Sequence, residues 1–390
     1  MELAPFLKEG NIRAIPCLAI YGPNASGKSN IIKAFRSFTN IVKNKDIQKT
    51  YAPNKLHPEN ETTSYGLEFL AEGNIFVYTL ETNSNEILHE SLNYNSLPLF
   101  SIEKKQIQFE KLATEAYSVA KLKEIYSVEC LNENRDFQTP FLTVIGKNYA
   151  GLNFLLTTAY SYITNKLEVY SNNEFSFTHS LNKLTGINDK KETHRSFKDI
   201  VSILQKLDID ISRMEYKKDV ITESLETGKI PSNNYELYFA NNEITATEIS
   251  SYHKDILGNE VQFNFKEESR GTQRIASVLG VVLSVLRTGS VLIIDELGNS
   301  LHPYLFAEIV RMFKDKRYNT TNAQLIFTTH YTDIMDQDMM RISEVGIVNK
   351  TLRKGTTFKR LSDFKGIRNV TKFRKQYLEG VFTGIPFPYI

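Results

Sequence analysis

The chain has no tryptophan and only two cysteines, Cys17 and Cys130. Two isolated thiols make neither a disulfide framework nor a cysteine metal cluster. Both read as buried thiols of a reducing compartment. An excess of one charge is missing as well. Lys and Arg number 47 and Asp and Glu 45, for a net charge of +2. Global charge therefore gives no argument for nucleic acid, and any basic patch must be local. No apolar run is long enough to span a membrane; the most apolar helical stretch, around Ala276–Leu286, is too short. The first ten residues lack the apolar core of a signal peptide. A cytoplasmic protein without a membrane partner is expected. Internal repeats and long heptad runs are also absent, which disfavours a long coiled-coil arm. What remains is ordinary for a globular protein: 390 residues, 41% hydrophobic and 24% charged. That length suits two domains, or one large domain with an insertion.

Against this background one segment stands out. Gly22-Pro23-Asn24-Ala25-Ser26-Gly27-Lys28-Ser29 fits G-x-x-x-x-G-K-[ST], the phosphate-binding P-loop. The run Cys17–Tyr21 before it reads as a buried strand, and Asn30–Phe35 after it as the start of a helix. Glycines let successive backbone N–H groups turn inward on an anion, and the helix N-terminus adds its positive end. Residues Gly22 to Asn30 are thus the expected phosphate cradle. Lys28 is expected to reach the β- and γ-phosphates, and the Ser29 hydroxyl to hold Mg²⁺.

A second half-site lies far along the chain. Val291–Ile294 is a short apolar run ending in Asp295-Glu296. Burial on both faces explains why it lacks polar alternation. Asp295 is expected to hold Mg²⁺, and Glu296 to polarise the attacking water as general base. Alone, the pair also fits an acidic turn after a core strand. Beside a P-loop it reads as a Walker B strand.

Two further pieces are weaker alone. Glu268-Ser269-Arg270-Gly271-Thr272-Gln273 precedes an apolar helix, and Ser269 and Gly271 suit a γ-phosphate at a helix N-terminus; an ordinary N-cap fits as well. Phe327-Thr328-Thr329-His330 ends a strand, where a His can sense a γ-phosphate and position water, although a lone His is usually structural. From Arg353 to Lys375 runs a basic stretch (Arg353, Lys354, Lys359, Arg360, Lys365, Arg368, Lys372, Arg374, Lys375). A solvated face explains it more simply than a nucleic-acid surface, and its sparse aromatics give no base-stacking platform.

The organisation follows. Residues 1–95 hold the P-loop and a set of antiparallel hairpins, with turns at Glu72-Gly73 and Asn83-Ser84-Asn85. Residues 96–260 read as a mainly helical insertion with some strands. Helices are expected over Leu112–Tyr126, Tyr149–Tyr170 and Ser196–Leu207, a polar connector over 171–195, and strands over Leu207–Lys217 and Tyr235–Phe239. Residues 261–390 open with Val261–Phe265, which alternates as a half-buried strand would. They continue with strands Val291–Ile294, Gln324–Thr328 and Val345–Val348 between helices Thr272–Leu286 and Pro303–Phe313. The expected class is α/β: a mixed sheet with crossover helices, plus an antiparallel β lobe.

The order P-loop, S-x-G, apolar strand with Asp-Glu, then strand with His resembles that of ABC-type ATPases. In detail the chain resembles stand-alone ABC-like ATPases related to RecF and SMC proteins, grouped with AAA-family ATPases of the abortive-infection type. The resemblance is carried by Gly22–Asn30, by Ser269–Arg274, by Asp295-Glu296-Leu297 with Ser300-Leu301-His302-Pro303, by Gln324–His330 and by the ending Tyr377–Phe387. It covers residues 44–260 only loosely. The family's Asn-Phe-x-Ser-Phe-like stretch is missing from the 21 residues before Gly22, and no glutamine near Glu68–Glu72 matches its Q-loop. The resemblance implies ATP and Mg²⁺ as ligands. It implies a composite site in which one copy supplies Lys28, Ser29, Asp295, Glu296 and His330 and a second supplies Ser269 and Gly271. It further implies an ATP-dependent homodimer or higher oligomer, serving as the regulatory subunit of a PARIS-like or Septu-like anti-phage system with a separately encoded effector such as a nuclease. The alternative is a RecF/SMC-like ATPase that binds DNA in repair or recombination, so nucleic acid stays open as a partner. A transporter's nucleotide-binding subunit fits less well, because of the atypical signature and the large insertion.

Overall fold

The computed structural model describes residues 7–9, 12–43, 47–55, 57, 59–110, 116–131, 137–171, 174, 180, 190–220, 236–240, 243–299, 301–335, 339–351, 355–365 and 373–382. The chain forms two compact units. One holds Leu7–Ala14 and Gly27–Val169; the other holds Ile15–Ser26 and Tyr170 onward. The chain therefore passes from one unit to the other inside the P-loop, between Ser26 and Gly27.

In the unit of Gly27–Val169, β1 (Leu7–Glu9) and β2 (Ile12–Ala14) form a small hairpin. Helices α1 (Lys28–Val42) and α2 (Ile47–Thr50) precede an antiparallel meander of five strands, β4 (Thr63–Ala71), β5 (Asn74–Thr82), β6 (Ile87–Tyr94), β7 (Leu97–Glu103) and β8 (Gln106–Phe109). Its turns use the positive φ that two-residue hairpins require: Glu72 and Gly73, Asn95 and Ser96, Lys104 and Lys105. Along β5 every second residue, Phe76, Tyr78, Leu80 and Thr82, is buried. Phe38 of α1 packs on that face, its ring 5.7 Å from Tyr65 and 5.9 Å from Tyr78. Helices α3 (Ala116–Ile125), α4 (Phe141–Asn148) and α5 (Phe154–Ser161) follow. The helix expected over Tyr149–Tyr170 instead ends in a π turn at Tyr162–Lys166 and a strand, β9 (Leu167–Tyr170). Its Leu, Val and Tyr are good strand formers, and apolar spacing alone did not separate the two.

The other unit carries the apolar core. Strands β3 (Cys17–Tyr21), β14 (Val291–Ile294), β15 (Gln324–Thr328), β16 (Val345–Thr351) and β17 (Gly355–Arg360) run in the order β17-β16-β3-β15-β14. All these neighbours are parallel except β16 and β17. Helix α8 (Pro303–Lys314) is the crossover from β14 to β15, α7 (Arg270–Thr288) leads into β14, and α6 (Lys190–Gln205) and α9 (Phe373–Leu378) complete the helices of this unit among the described residues. Helix α7 is capped by the Ser269 side chain and stopped by Gly289 at φ 64°. Its run Ala276–Leu286 is buried throughout; each large apolar side chain there contributes roughly 1.5–3 kcal/mol. Beneath α8, Lys314 Nζ donates to Glu344 Oε2 at 2.5 Å and Arg341 Nη1 to Glu344 Oε1 at 3.2 Å. Glu344 is fully buried, and these partners offset the loss of its hydration.

A second sheet of this unit joins β10 (Arg213–Val220), β11 (Glu236–Ala240), β12 (Glu243–Lys254) and β13 (Glu260–Asn264). The connector expected over 171–195 lies almost wholly outside the described residues. The half-buried character expected of Val261–Phe265 is not observed: Val261 is 41% and Phe263 39% exposed, and only Phe265 is buried. Among the described residues, strand β13 pairs with β12.

One buried carboxylate ties the meander to α4. Glu90, on β6, is fully buried. It accepts from Phe141 N–H at 2.7 Å, Leu142 N–H at 2.9 Å and Tyr78 Oη–H at 2.9 Å. Burial pushes its pKa up to about 7, against the opposing pull of the two backbone N–H groups and Tyr78. The folded chain thus holds a proton that the unfolded chain releases near 4.5. This contribution to stability is complete below the unfolded value and is lost as pH rises through about 7. Glu90→Gln removes that titration. The stability gap between wild type and Glu90→Gln should therefore shift by on the order of 2–3 kcal/mol against wild type between about pH 4 and pH 8. Urea unfolding at the two pH values measures it, and a pH-independent gap would refute the assignment.

Candidate functional site

Three parallel strands bring the separate sequence motifs to one edge. In the order β3-β15-β14, Ile20 is registered with Thr328, and Phe327 with Ile294. Gly22, His330 and Asp295 each lie just beyond the carboxyl end of one of these strands. That is the edge at which α/β sheets bind ligands.

The P-loop leaves β3 at Gly22. A Cβ there would lie 2.5 Å from Val348 O and 2.8 Å from Ser26 Oγ, so only glycine fits. Ser26 N–H donates to Pro23 O at 3.2 Å, closing the turn. Ala25 adopts φ 62° and Gly27 φ 105°. Thr356 Oγ1, from β17, donates to Ser26 O at 2.9 Å and braces the loop from outside. Asn24 and Ala25 are exposed, whereas Ser26 is 2% exposed. Ser26 Oγ is buried without a hydrogen-bond partner. Gly27, Lys28 and Ser29 continue the chain into α1, with Lys28 buried and Ser29 partly exposed. Asn30 and Ile31 N–H both donate to Gly27 O. This 15-residue helix has no capping side chain and no acidic residue in its first turn. A long helix with an uncapped, acid-free N-terminus favours an anion there. These residues fit a nucleotide phosphate.

The turn after β14 carries the carboxylates. Asp295 N–H donates to Tyr170 O at 3.1 Å. Thr328 Oγ1 donates to Asp295 Oδ1 at 2.6 Å and accepts the Glu296 N–H at 2.7 Å. Glu296 stands at φ 55°, a left-handed conformation uncommon for a residue with a side chain. Leu297 N–H donates to Thr328 O at 3.2 Å and Asn299 Nδ2 to Glu296 Oε2 at 3.2 Å. Both carboxylates are partly exposed. A partly exposed carboxylate on a tight turn suits a hard divalent cation at Asp295, with Glu296 adjacent. Gly298 lies under Tyr331: a Cβ there would sit 2.5 Å from its ring. His330 is exposed at the same edge.

The predicted signature is the start of α7. Ser269 Oγ accepts the Thr272 N–H at 3.1 Å and pairs with Thr272 Oγ1 at 2.9 Å. It is therefore an N-cap, and it is exposed together with Arg270 and Gly271. Glu268, just ahead, bonds Ser251 Oγ at 2.5 Å and His253 Nε2 at 2.6 Å, both on β12. Gln273 Nε2 donates to Lys266 O and Glu268 O at 3.0 and 2.8 Å. Of the basic stretch, Arg353, Lys354, Arg368 and Lys372 lie outside the described residues. Arg374 pairs with Asp333 at 2.5 Å and Lys375 with Glu379 at 3.6 Å, so part of it is spent on intramolecular pairs. Sequence reasoning gave no role to Thr328 or Thr356. Thr328 sat inside a quoted motif, but its partners lie on a turn distant in sequence; Thr356 carried no signal at all.

A family model described as "AAA domain, putative AbiEii toxin, Type IV TA system" matches residues 17–336. Among solved structures, the chain is similar to the SmcHead bound to the C-winged helix domain of ScpA, at 12% identity and TM-score 0.42, over 92% of this chain and 96% of that one. It is similar to the SMC head domain from Thermotoga maritima at 15% identity and TM-score 0.40, again over 92% and 96%. At these scores the likenesses add nothing to what the strand order already establishes. No curated protein matches.

Filling the space beside Gly22 tests the cradle. Gly22→Ala should cost about 1–3 kcal/mol of stability through overpacking. It should also weaken binding of a fluorescent ATP analogue, read by polarisation. Unchanged melting and binding would show that the loop tolerates a Cβ.

Proposed function

The chain belongs to this AAA-domain family, and we propose that it is an ATP-hydrolysing switch of ABC type that gates a separate effector in an anti-phage or toxin–antitoxin setting. The observation that carries the reading is the gathering of Gly22–Ser26, Asp295-Glu296 and His330 at one edge of three adjacent parallel strands. Chain continuity places Lys28 and Ser29 directly after that loop.

In this reading the loop N–H groups and Lys28 bind the β- and γ-phosphates, and Ser29 and Asp295 hold Mg²⁺. The cation, when bound, neutralises charge developing on the phosphate oxygens. Glu296 accepts the proton of the attacking water, while His330 orients that water or the γ-phosphate. Ser269 and Gly271, exposed at the N-terminus of α7, belong to a second copy's γ-phosphate site. Nucleotide then joins two copies, and hydrolysis removes the contact that held them. Turnover is slow, because the product of the reaction is a change of state. The family's printed description, which names a toxin and a toxin–antitoxin system, supports an effector context.

Two variants separate binding from chemistry. Lys28→Ala should abolish nucleotide binding in equilibrium dialysis. Glu296→Gln should keep it, lose about 100-fold or more in hydrolysis, and accumulate as an ATP-dependent dimer on size exclusion. Hydrolysis at the wild-type rate by Glu296→Gln would rule out its role as base. A pull-down of Glu296→Gln with ATP and Mg²⁺ then identifies the partner. A stoichiometric nuclease- or toxin-like protein supports the switch; DNA without a protein partner, bound in an ATP- and salt-dependent way, favours the RecF/SMC-like alternative.

A further inference from the structure

We propose that Thr328 is the positioning residue of the Asp295-Glu296 turn, and this rests on the ATPase reading above. Its hydroxyl is fully buried between β15 and β14 and makes two bonds at once. The proton goes to Asp295 Oδ1 at 2.6 Å, and a lone pair receives the Glu296 N–H at 2.7 Å. Only a group that donates and accepts from one atom does both. Valine, of nearly the same shape, does neither; serine does both.

Each bond has a consequence. The first fixes the Asp295 carboxylate about its terminal torsion and engages Oδ1, so Oδ2 is the oxygen that this hydroxyl leaves to a cation. The second holds the peptide preceding Glu296, whose φ of 55° costs energy unless its surroundings enforce it. Without that bond the peptide is free to relax toward the ordinary right-handed region, and the Glu296 side chain turns with it. The backbone of Thr328 adds a third tie through Leu297 N–H at 3.2 Å. One residue on the middle strand therefore sets metal ligand and base together.

The test compares wild type, Thr328→Val and Thr328→Ser by hydrogen–deuterium exchange without nucleotide and by ATP turnover across a Mg²⁺ titration. Thr328→Val should exchange faster over residues 295–299. It should need about tenfold or more Mg²⁺ for half-maximal turnover and lose about 10–100-fold in kcat. Thr328→Ser should restore all three to within about threefold, which loss of packing alone would not predict, because serine removes a methyl group that valine keeps. Unchanged exchange in Thr328→Val overturns the inference. So does a Thr328→Val protein with wild-type kcat and Mg²⁺ dependence beside an active wild type. A wild type with no ATP turnover at all overturns the ATPase reading and this role with it.

Discussion

The register of three parallel strands is the constraint on which the candidate site depends. Strands β3, β15 and β14 come from residues 17, 324 and 291, yet their carboxyl ends align. Parallel neighbours need a crossover, and the crossovers here are helices that bury the sheet. Burial removes polar alternation from the strands, so each polar residue at their ends is conspicuous. Asp295, Thr328 and His330 occupy such positions. A shift of one residue in the β14–β15 pairing would move Thr328 past Asp295 and break the bonds at both 2.6 and 2.7 Å.

Several local devices defend that register. Gly22 lets β3 approach Val348 O more closely than any side chain would allow. Gly346, paired with Arg360, lies under the Phe358 ring in the same way: a Cβ would lie 2.3 Å from that ring. The buried Glu344 fastens the entry to β16 onto α8 through Lys314. Breaking such a pair by removing one partner costs about 3–5 kcal/mol, since the other charge stays buried. These contacts hold the sheet rather than the ligand, but the ligand's groups are placed only to the accuracy of the sheet.

The candidate site was legible in the sequence where motif and local geometry coincide. The P-loop needs contiguous residues with fixed backbone demands, so its spacing carries its function. Asp295-Glu296 was readable because an apolar strand ends in two carboxylates. The turns Glu72-Gly73 and Asn83–Asn85 were visible for the same local reason, as their glycine and asparagines favour turn conformations. Lys104-Lys105 was not: two lysines at positive φ carry no turn signal, and strand pairing imposes the conformation. Tyr149–Tyr170 misled because apolar spacing fits a helix while the final four residues pair as a strand. Thr328 and Thr356 were silent because their partners lie 33 and 330 positions away. Only the folded chain joins them.

The two ends of the proposed composite site are held by different physics. The Asp295-Glu296 turn is tied across a strand pair by the buried Thr328 hydroxyl. The α7 start is held by a carboxylate: Glu268 bonds Ser251 and His253 of another sheet, and Gln273 closes over the same backbone. A buried bond is little screened by salt, whereas the Glu268–His253 contact involves a partly exposed imidazole. The first is suited to fixing reacting groups within tenths of an ångström. The second lies nearer solvent, at the exposed start of α7. On the proposed reading, the turn is the rigid part of the composite site and the start of α7 the part open to a second copy.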